Sequence, residues 1–223
     1  MSGKSIFIVG ASRGIGLGLA REFLSRGWSV IASERSPSEE LHALAGEGLR
    51  IVTADVTVPE SYDSLDLGLG SLDCLFINAG ISGAKHQSSE QATNDEVAEV
   101  MMTNAFGPAR AAKRLLPSVR DGGTLAFMTS QLGSIANNTG GFELYRASKA
   151  ALNMLAKGIA EQNAGPRGIG TLALHPGWVQ TDMGGPNATL TVDESVTGLA
   201  DVVEGASGKG FRYTDYAGED LPL

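Results

Sequence analysis

Short apolar runs separated by longer amphipathic stretches recur along nearly the whole chain, and that alternation constrains the fold more than any other feature. The runs are Ser5–Val9, Ser29–Ser33, Arg50–Ala54, Cys74–Asn78, Thr124–Thr129 and Gly170–Leu174, with a last short strand at Phe211–Thr214. Helical periodicity falls between them, at Ile15–Arg26, Pro37–Ala45, Glu60–Leu67, Asp95–Leu116, Glu143–Gln162 and Val192–Glu204. Strands that are apolar throughout, each followed by a helix, predict a parallel sheet covered on both faces. In such sheets ligands sit beyond the carboxyl ends of the strands, so functional residues should cluster just after them. No repeat or linker divides the 223 residues, and residues 1–223 read as one domain. Pro108 lies inside the fourth helix and removes one of its hydrogen bonds, which predicts a kink beside Gly107.

The first strand runs straight into Gly10-Ala11-Ser12-Arg13-Gly14-Ile15-Gly16, and a helix follows. Each glycine removes a side chain that would keep a phosphate away from the backbone. The helix start then offers free N–H groups and a partial positive charge to that phosphate. A glycine cluster alone can serve packing; placed between the first strand and first helix it points to a nucleotide.

The G-x-x-x-G-x-G spacing resembles that of the short-chain dehydrogenase/reductase family, and the resemblance covers most of the chain. Asn78-Ala79-Gly80 resembles the family's N-A-G motif, although Ile77 replaces a common preceding Asn. Asp55-Val56, after the third strand, resembles the family's acidic residue that contacts the adenine. Asn104 stands where the family has a catalytic asparagine, and Ser130, with Gly133 after it, where it has a catalytic serine. Tyr145-Arg146-Ala147-Ser148-Lys149 is a Y-x-x-x-K motif. Pro176-Gly177-Trp178-Val179-Gln180-Thr181 matches P-G-x-V-x-T, which in the family holds the nicotinamide end. The resemblance implies a three-layer α/β/α, Rossmann-type doubly wound sheet and a nicotinamide-dependent oxidoreductase acting on a carbonyl or alcohol.

Tyr145 and Lys149 are four apart and share a helix face. In isolation such a pair is usually a surface feature; it becomes chemical beside a nicotinamide. A free tyrosine titrates near pH 10, and a neighbouring ammonium favours the phenolate. The implied roles are proton exchange at Tyr145, hydrogen bonding of the substrate oxygen by Ser130 and Tyr145, a grip on the ribose by Lys149, and water placement by Asn104. Ser130 could equally be a strand-end cap. Glu34, at the end of the second strand, would accept ribose hydroxyls and repel a 2′-phosphate, which favours NAD(H). Arg13 and Arg35 flank the same place and argue for NADP(H). The expectation is NAD(H), to be reversed if Glu34 turns away.

Composition excludes other classes. Lys and Arg number 17 against 25 Asp and Glu, a net charge of −8, so nucleic acid is not an expected partner. Nor is a membrane: no apolar run is long enough to cross one, and a cytoplasmic location is the expectation. The single cysteine, Cys74, falls in an apolar run and reads as a buried hydrophobe. His42, His86 and His175 lack zinc-ligand spacing, and His42 and His86 read as surface residues. Ile81, Leu132, Phe142, Trp178 and Met183 are candidate walls of an open pocket for small to medium substrates. Apolar positions on two faces of the fourth and fifth helices (Ala105, Ala109, Ala112, Ala151, Leu155, Ile159) predict a homodimer or homotetramer. Two rivals remain open: a dinucleotide-sensing regulator without chemistry, and an epimerase or dehydratase with no net redox.

Overall fold

The computed structural model describes residues 3–206, 208 and 210–223. Seven parallel strands form one sheet in the order β3-β2-β1-β4-β5-β6-β7. They are β1 (Ser5–Val9), β2 (Ser29–Glu34), β3 (Leu49–Thr53), β4 (Leu72–Ile77), β5 (Val119–Met128), β6 (Gly170–His175) and β7 (Phe211–Asp215). Strand order reverses between β1 and β4, and the crevice that ligands use in such sheets opens there.

Alternate residues of each strand supply two cores. Phe7, Val9, Leu75, Ile77 and Phe127 pack under α4 (Gly107–Leu115) and α5 (Glu143–Ile159). Ile6, Ile8, Phe76 and the buried Cys74 pack under α1 (Gly14–Ser25) and α6 (Val192–Glu204). This is the period of two expected of strands sandwiched between helices. It gives the Rossmann-type doubly wound fold.

Three predicted helices differ. The second shrinks to α2 (Glu39–His42), with Ser38 as its cap. The third is a 3₁₀ turn over Pro59–Tyr62 only. Ser61, Asp63, Ser64 and Asp66 are weak helix formers, and the Ser61 hydroxyl donates back to Val58 O at 2.6 Å, which competes with a helical ladder. The fourth is α3 (Asn94–Met101), a π-helical stretch over Met102–Phe106, and then α4. The disturbance expected beside Gly107 is this wider turn, closed by Gly107 N–H on Met102 O.

The predicted second apolar face is largely used within the chain. Ala105, Ala109, Ala112 and Ile159 are buried in the core, with Ala151 and Leu155 packed against it. Met154, 72 % exposed, is what α5 leaves outward. No helix among the described residues is long and apolar enough to cross a membrane.

Candidate active site

The glycine-rich turn is built by close approach. Gly10 has φ +87°, and a Cβ there would lie 2.9 Å from Ala79 Cα. A Cβ on Gly16 would collide with the Gly10 carbonyl and stand 2.5 Å from Asn78 Nδ2. Asn78 Nδ2 in turn donates to Gly10 O at 2.6 Å, tying the ends of β1 and β4 together. Arg13 occupies the cap position of α1 but makes no side-chain cap bond, and no acid lies in the first turn at Gly14, Ile15 and Gly16. By contrast, α3 and α6 open with complete Thr–Glu capping boxes, Thr93 with Glu96 and Thr191 with Glu194. The α1 start therefore keeps its N–H groups and positive end available to an anion, as a dinucleotide pyrophosphate requires.

The other predicted cofactor residues gather at the same edge. The loop after β6 folds back over α1, so that a Cβ on Gly14 would lie 3.4 Å from Thr181 Cγ2. Val179 is buried and bridged to Leu190, with Pro176 and Gly177 half-buried before it. Asp55 Oδ1 accepts from Thr57 N at 2.8 Å and Thr57 Oγ1 at 2.7 Å, which shapes the turn after β3. Val56 is buried beside Gly107. Ala79 N–H donates to Val9 O at 2.9 Å, leaving Gly80 at the mouth of the crevice.

Glu34 is buried and bonded within its own chain. Its Oε2 accepts Ser38 N–H at 2.8 Å and its Oε1 accepts His42 Nε2 at 2.8 Å, so the expected ribose reader is occupied by its own chain. His42 is exposed, as expected of a surface residue, and also partners Glu34. Arg35 is exposed, and Arg13 carries only an exposed pair with Asp182 at 3.2 Å.

On the other side of the crevice, α5 presents Tyr145, Ser148, Lys149 and Asn153 along one face. Lys149 is buried, and its Nζ donates to Met128 O at 3.1 Å. Burial alone brings its ammonium down to about 8. The same ammonium lies 5.7 Å from the centre of the Tyr145 ring. Burial pushes the Tyr145 phenol up to about 12, and the Ser130 hydroxyl pulls it back down. Ser130, at the end of β5, also accepts Leu132 N–H at 3.2 Å, so the cap role and a place beside the phenol coexist.

Asn104 lies within the π-helical stretch and is fully buried. Its Oδ1 accepts Ile81 N–H at 2.8 Å, while its Nδ2 donates to Ile81 O at 2.9 Å and Ser148 Oγ at 3.1 Å. A Cβ on Gly80 would stand 3.3 Å from both Asn104 Oδ1 and Lys149 Nζ, so these two groups converge on a bare Cα. Asn104, Ser130, Tyr145 and Lys149 are thus brought together.

Two residues escaped the sequence reading. Tyr213 on β7 is buried, and its hydroxyl donates to Ser130 O at 2.6 Å. Asn153 Oδ1 accepts from Thr129 Oγ1 at 2.7 Å, fixing the end of β5 to α5. Asn153 carries a signal, since it lies one turn beyond Lys149; Tyr213 carries none beyond its place in an apolar strand. Of the wall candidates, Ile81 and Leu132 are half-buried, whereas Phe142, Trp178 and Met183 are exposed. Trp178 Nε1 donates to Gly184 O at 2.8 Å, so the short segment after Thr181 folds on itself. His175 is buried, and burial lowers its imidazole to about 4 although Asp215 pulls the other way.

Comparison with known proteins agrees with this geometry. The short chain dehydrogenase family model matches residues 4–189. The C-signal protein of Myxococcus xanthus is 43 % identical over 157 residues, 69 % of this chain and 93 % of its own length. A carbonyl reductase from Pseudomonas aeruginosa PAO1, solved in complex with NADP, is 43 % identical, with full coverage of both chains and a TM-score of 0.90. The carbonyl reductase Sniffer of D. melanogaster is 31 % identical over 99 % of this chain and 100 % of its own, with a TM-score of 0.89. The chain belongs to the short-chain dehydrogenase family.

Proposed function

We propose that the protein is an NADP(H)-dependent carbonyl reductase for small to medium aldehydes and ketones, with Asn104, Ser130, Tyr145 and Lys149 as its working residues. The observation that carries this reading is the meeting of Tyr145, Ser130 and a buried Lys149 across a crevice from an uncapped, glycine-rich helix start. Gly10–Gly16, Asp55, Val56, Asn78–Gly80, Lys149 and Pro176–Thr181 would hold the dinucleotide. When bound, that group supplies the hydride. Ser130 Oγ and Tyr145 Oη bind the substrate oxygen, Tyr145 gives it a proton as the carbonyl becomes an alcohol, and the Lys149 ammonium stabilises the phenolate left behind. Asn104 holds Ile81 and Ser148 in place and helps position the water through which Tyr145 recovers its proton. A homodimer or homotetramer remains our reading of its assembly.

Preference for NADP(H) replaces the NAD(H) expectation because Glu34, on which that expectation rested, is bonded to Ser38 and His42. The NADP bound by the Pseudomonas relative supports the same choice. Fluorescence titration with NADPH and NADH, followed by a carbonyl panel with NADPH, tests the reading. NADPH should bind more tightly, and small hydrophobic carbonyls should be reduced. Failure to bind either nucleotide would overturn it. Replacing Arg13 and Arg35 together by Ala should weaken NADPH about tenfold or more while moving NADH less than about twofold, as expected for lost charge-assisted bonds to a 2′-phosphate.

Tyr213→Phe should lower turnover several-fold with little change in nucleotide affinity. It removes one of two donors to the buried Ser130 carbonyl, Gly133 N–H remaining at 2.8 Å, at a cost of about 0.5–1.5 kcal/mol in stability. Steady-state kinetics alongside thermal unfolding would register both effects. The name of the Myxococcus relative favours a second reading, in which the protein signals rather than turns over substrate. NADPH binding without turnover on a broad carbonyl panel would select it.

A further inference from the structure

The carboxylate of Glu34 is held by two donors on one short element. Ser38 supplies its backbone N–H, and His42, the last residue of α2, supplies its imidazole. Because the acceptor is a carboxylate, Nε2 of His42 carries the hydrogen. Glu34 is only 5 % exposed, although it ends the strand beside the glycine-rich turn. The holding element is itself fastened to that turn: Ser38 Oγ donates to Ser12 O at 2.6 Å and accepts Leu41 N–H at 3.2 Å. Ser33, one residue before Glu34, binds the same turn through Oγ, which accepts Gly10 N–H at 2.9 Å. The end of β2, α2 and the turn thus form one hydrogen-bonded unit with the acid folded inward.

A carboxylate at the adenosine end has two uses. Facing the crevice, it accepts ribose hydroxyls and repels a 2′-phosphate; folded inward, it does neither. The Ser38 donor is backbone and is present whatever side chain stands there, so the side chain that decides between the two positions is His42. We infer that His42 is a specificity-determining residue: it draws Glu34 away from the ribose and leaves Arg13 and Arg35 to meet a 2′-phosphate. This inference rests on the NADP(H) reading above. It adds that the preference depends on a residue that touches no part of the nucleotide.

The test measures NADPH and NADH dissociation constants by fluorescence for the whole protein and its variants. His42→Leu keeps the bulk and removes the donor. The freed carboxylate should improve NADH binding and impair NADPH binding, lowering the preference for NADPH about tenfold, or about 1.4 kcal/mol. His42→Gln keeps a donor at a similar reach and should stay within about twofold of the wild type. Adding Glu34→Gln to His42→Leu should restore the preference.

An unchanged ratio in His42→Leu, in a protein that prefers NADPH, overturns the role of His42 and leaves the NADP(H) reading standing. A wild-type protein that prefers NADH overturns that reading and the inference with it. A shift that persists when Glu34→Gln is added also overturns the inference, since it does not pass through the carboxylate. Should His42→Leu not fold, Glu34→Gln alone decides. NADH affinity within about twofold of wild type means the acid already lies away from the ribose; a tenfold loss means it reads the ribose, and the inference fails.

Discussion

Tyr145→Phe is expected to lower carbonyl-reduction turnover by about 10²–10⁴-fold, the range associated with a positioned proton donor, while NADPH affinity stays within about twofold. The substitution removes one oxygen and keeps the ring, so helix α5 and its packing should survive. What disappears is the phenol hydroxyl that serves as proton donor in the proposed mechanism. Burial holds the phenol up at about 12, so Tyr145 is protonated across the working range and starts reduction in the correct form. Retention of more than a tenth of wild-type turnover would remove Tyr145 from the mechanism. Paired measurements of kcat and nucleotide affinity separate lost chemistry from lost binding.

Lys149→Met should cost about 100-fold in turnover, and it should also weaken NADPH, which Tyr145→Phe should not. The buried Nζ faces both the Tyr145 ring and the bare Cα of Gly80. Removing it leaves the phenolate without a counter-charge and the ribose without its grip. The wild-type pH profile follows from the same residue. Burial lowers Lys149 to about 8, so it is an ammonium below that pH and an amine above it. The charged form stabilises the phenolate, so kcat/KM for reduction should be level on the acid side and fall as pH rises through about 8. In Lys149→Met that limb should vanish. A limb that persists would assign the titration to another group.

The parts of this molecule that were legible in its sequence are those fixed by local rules. The β1–turn–α1 unit is specified by an apolar run, by glycines where a Cβ would collide with backbone, and by a helix that starts without a cap. The spacing of four between Tyr145 and Lys149 puts them on one helix face, and the ammonium indeed lies 5.7 Å from the ring centre. The parts that were not legible depend on where side chains turn and on distant partners. Glu34 is a correct acid in a correct place, yet its direction is set by His42, eight residues on, through a bond that no periodicity encodes. Tyr213 reaches Ser130 across 83 residues of sequence. The stretch after Pro59 has helical apolar spacing but serines and aspartates that bond locally instead, so period and propensity disagreed and propensity won.

The π-helical turn at Met102–Phe106 has a bearing on what lengths of chain this segment accepts. Pro108 has no N–H for the carbonyl four residues before it, that of Asn104, so an ordinary α ladder is interrupted there in any case. The wide turn absorbs that interruption, and Gly107 makes it possible, because a Cβ there would stand 2.5 Å from both Met102 O and Val56 O. Each residue of an α-helix turns its successor by about 100°. The wide turn holds one residue more than an α turn over about the same rotation, so removing one residue between Met101 and Gly107 would regularise the ladder while α3 and α4 keep their relative facing. What the deletion would displace is the wide turn itself, from which Asn104 reaches Ile81 and Ser148. The segment is tuned in residue number as well as in residue type: a one-residue deletion would leave α4 on the core yet move Asn104 out of the site.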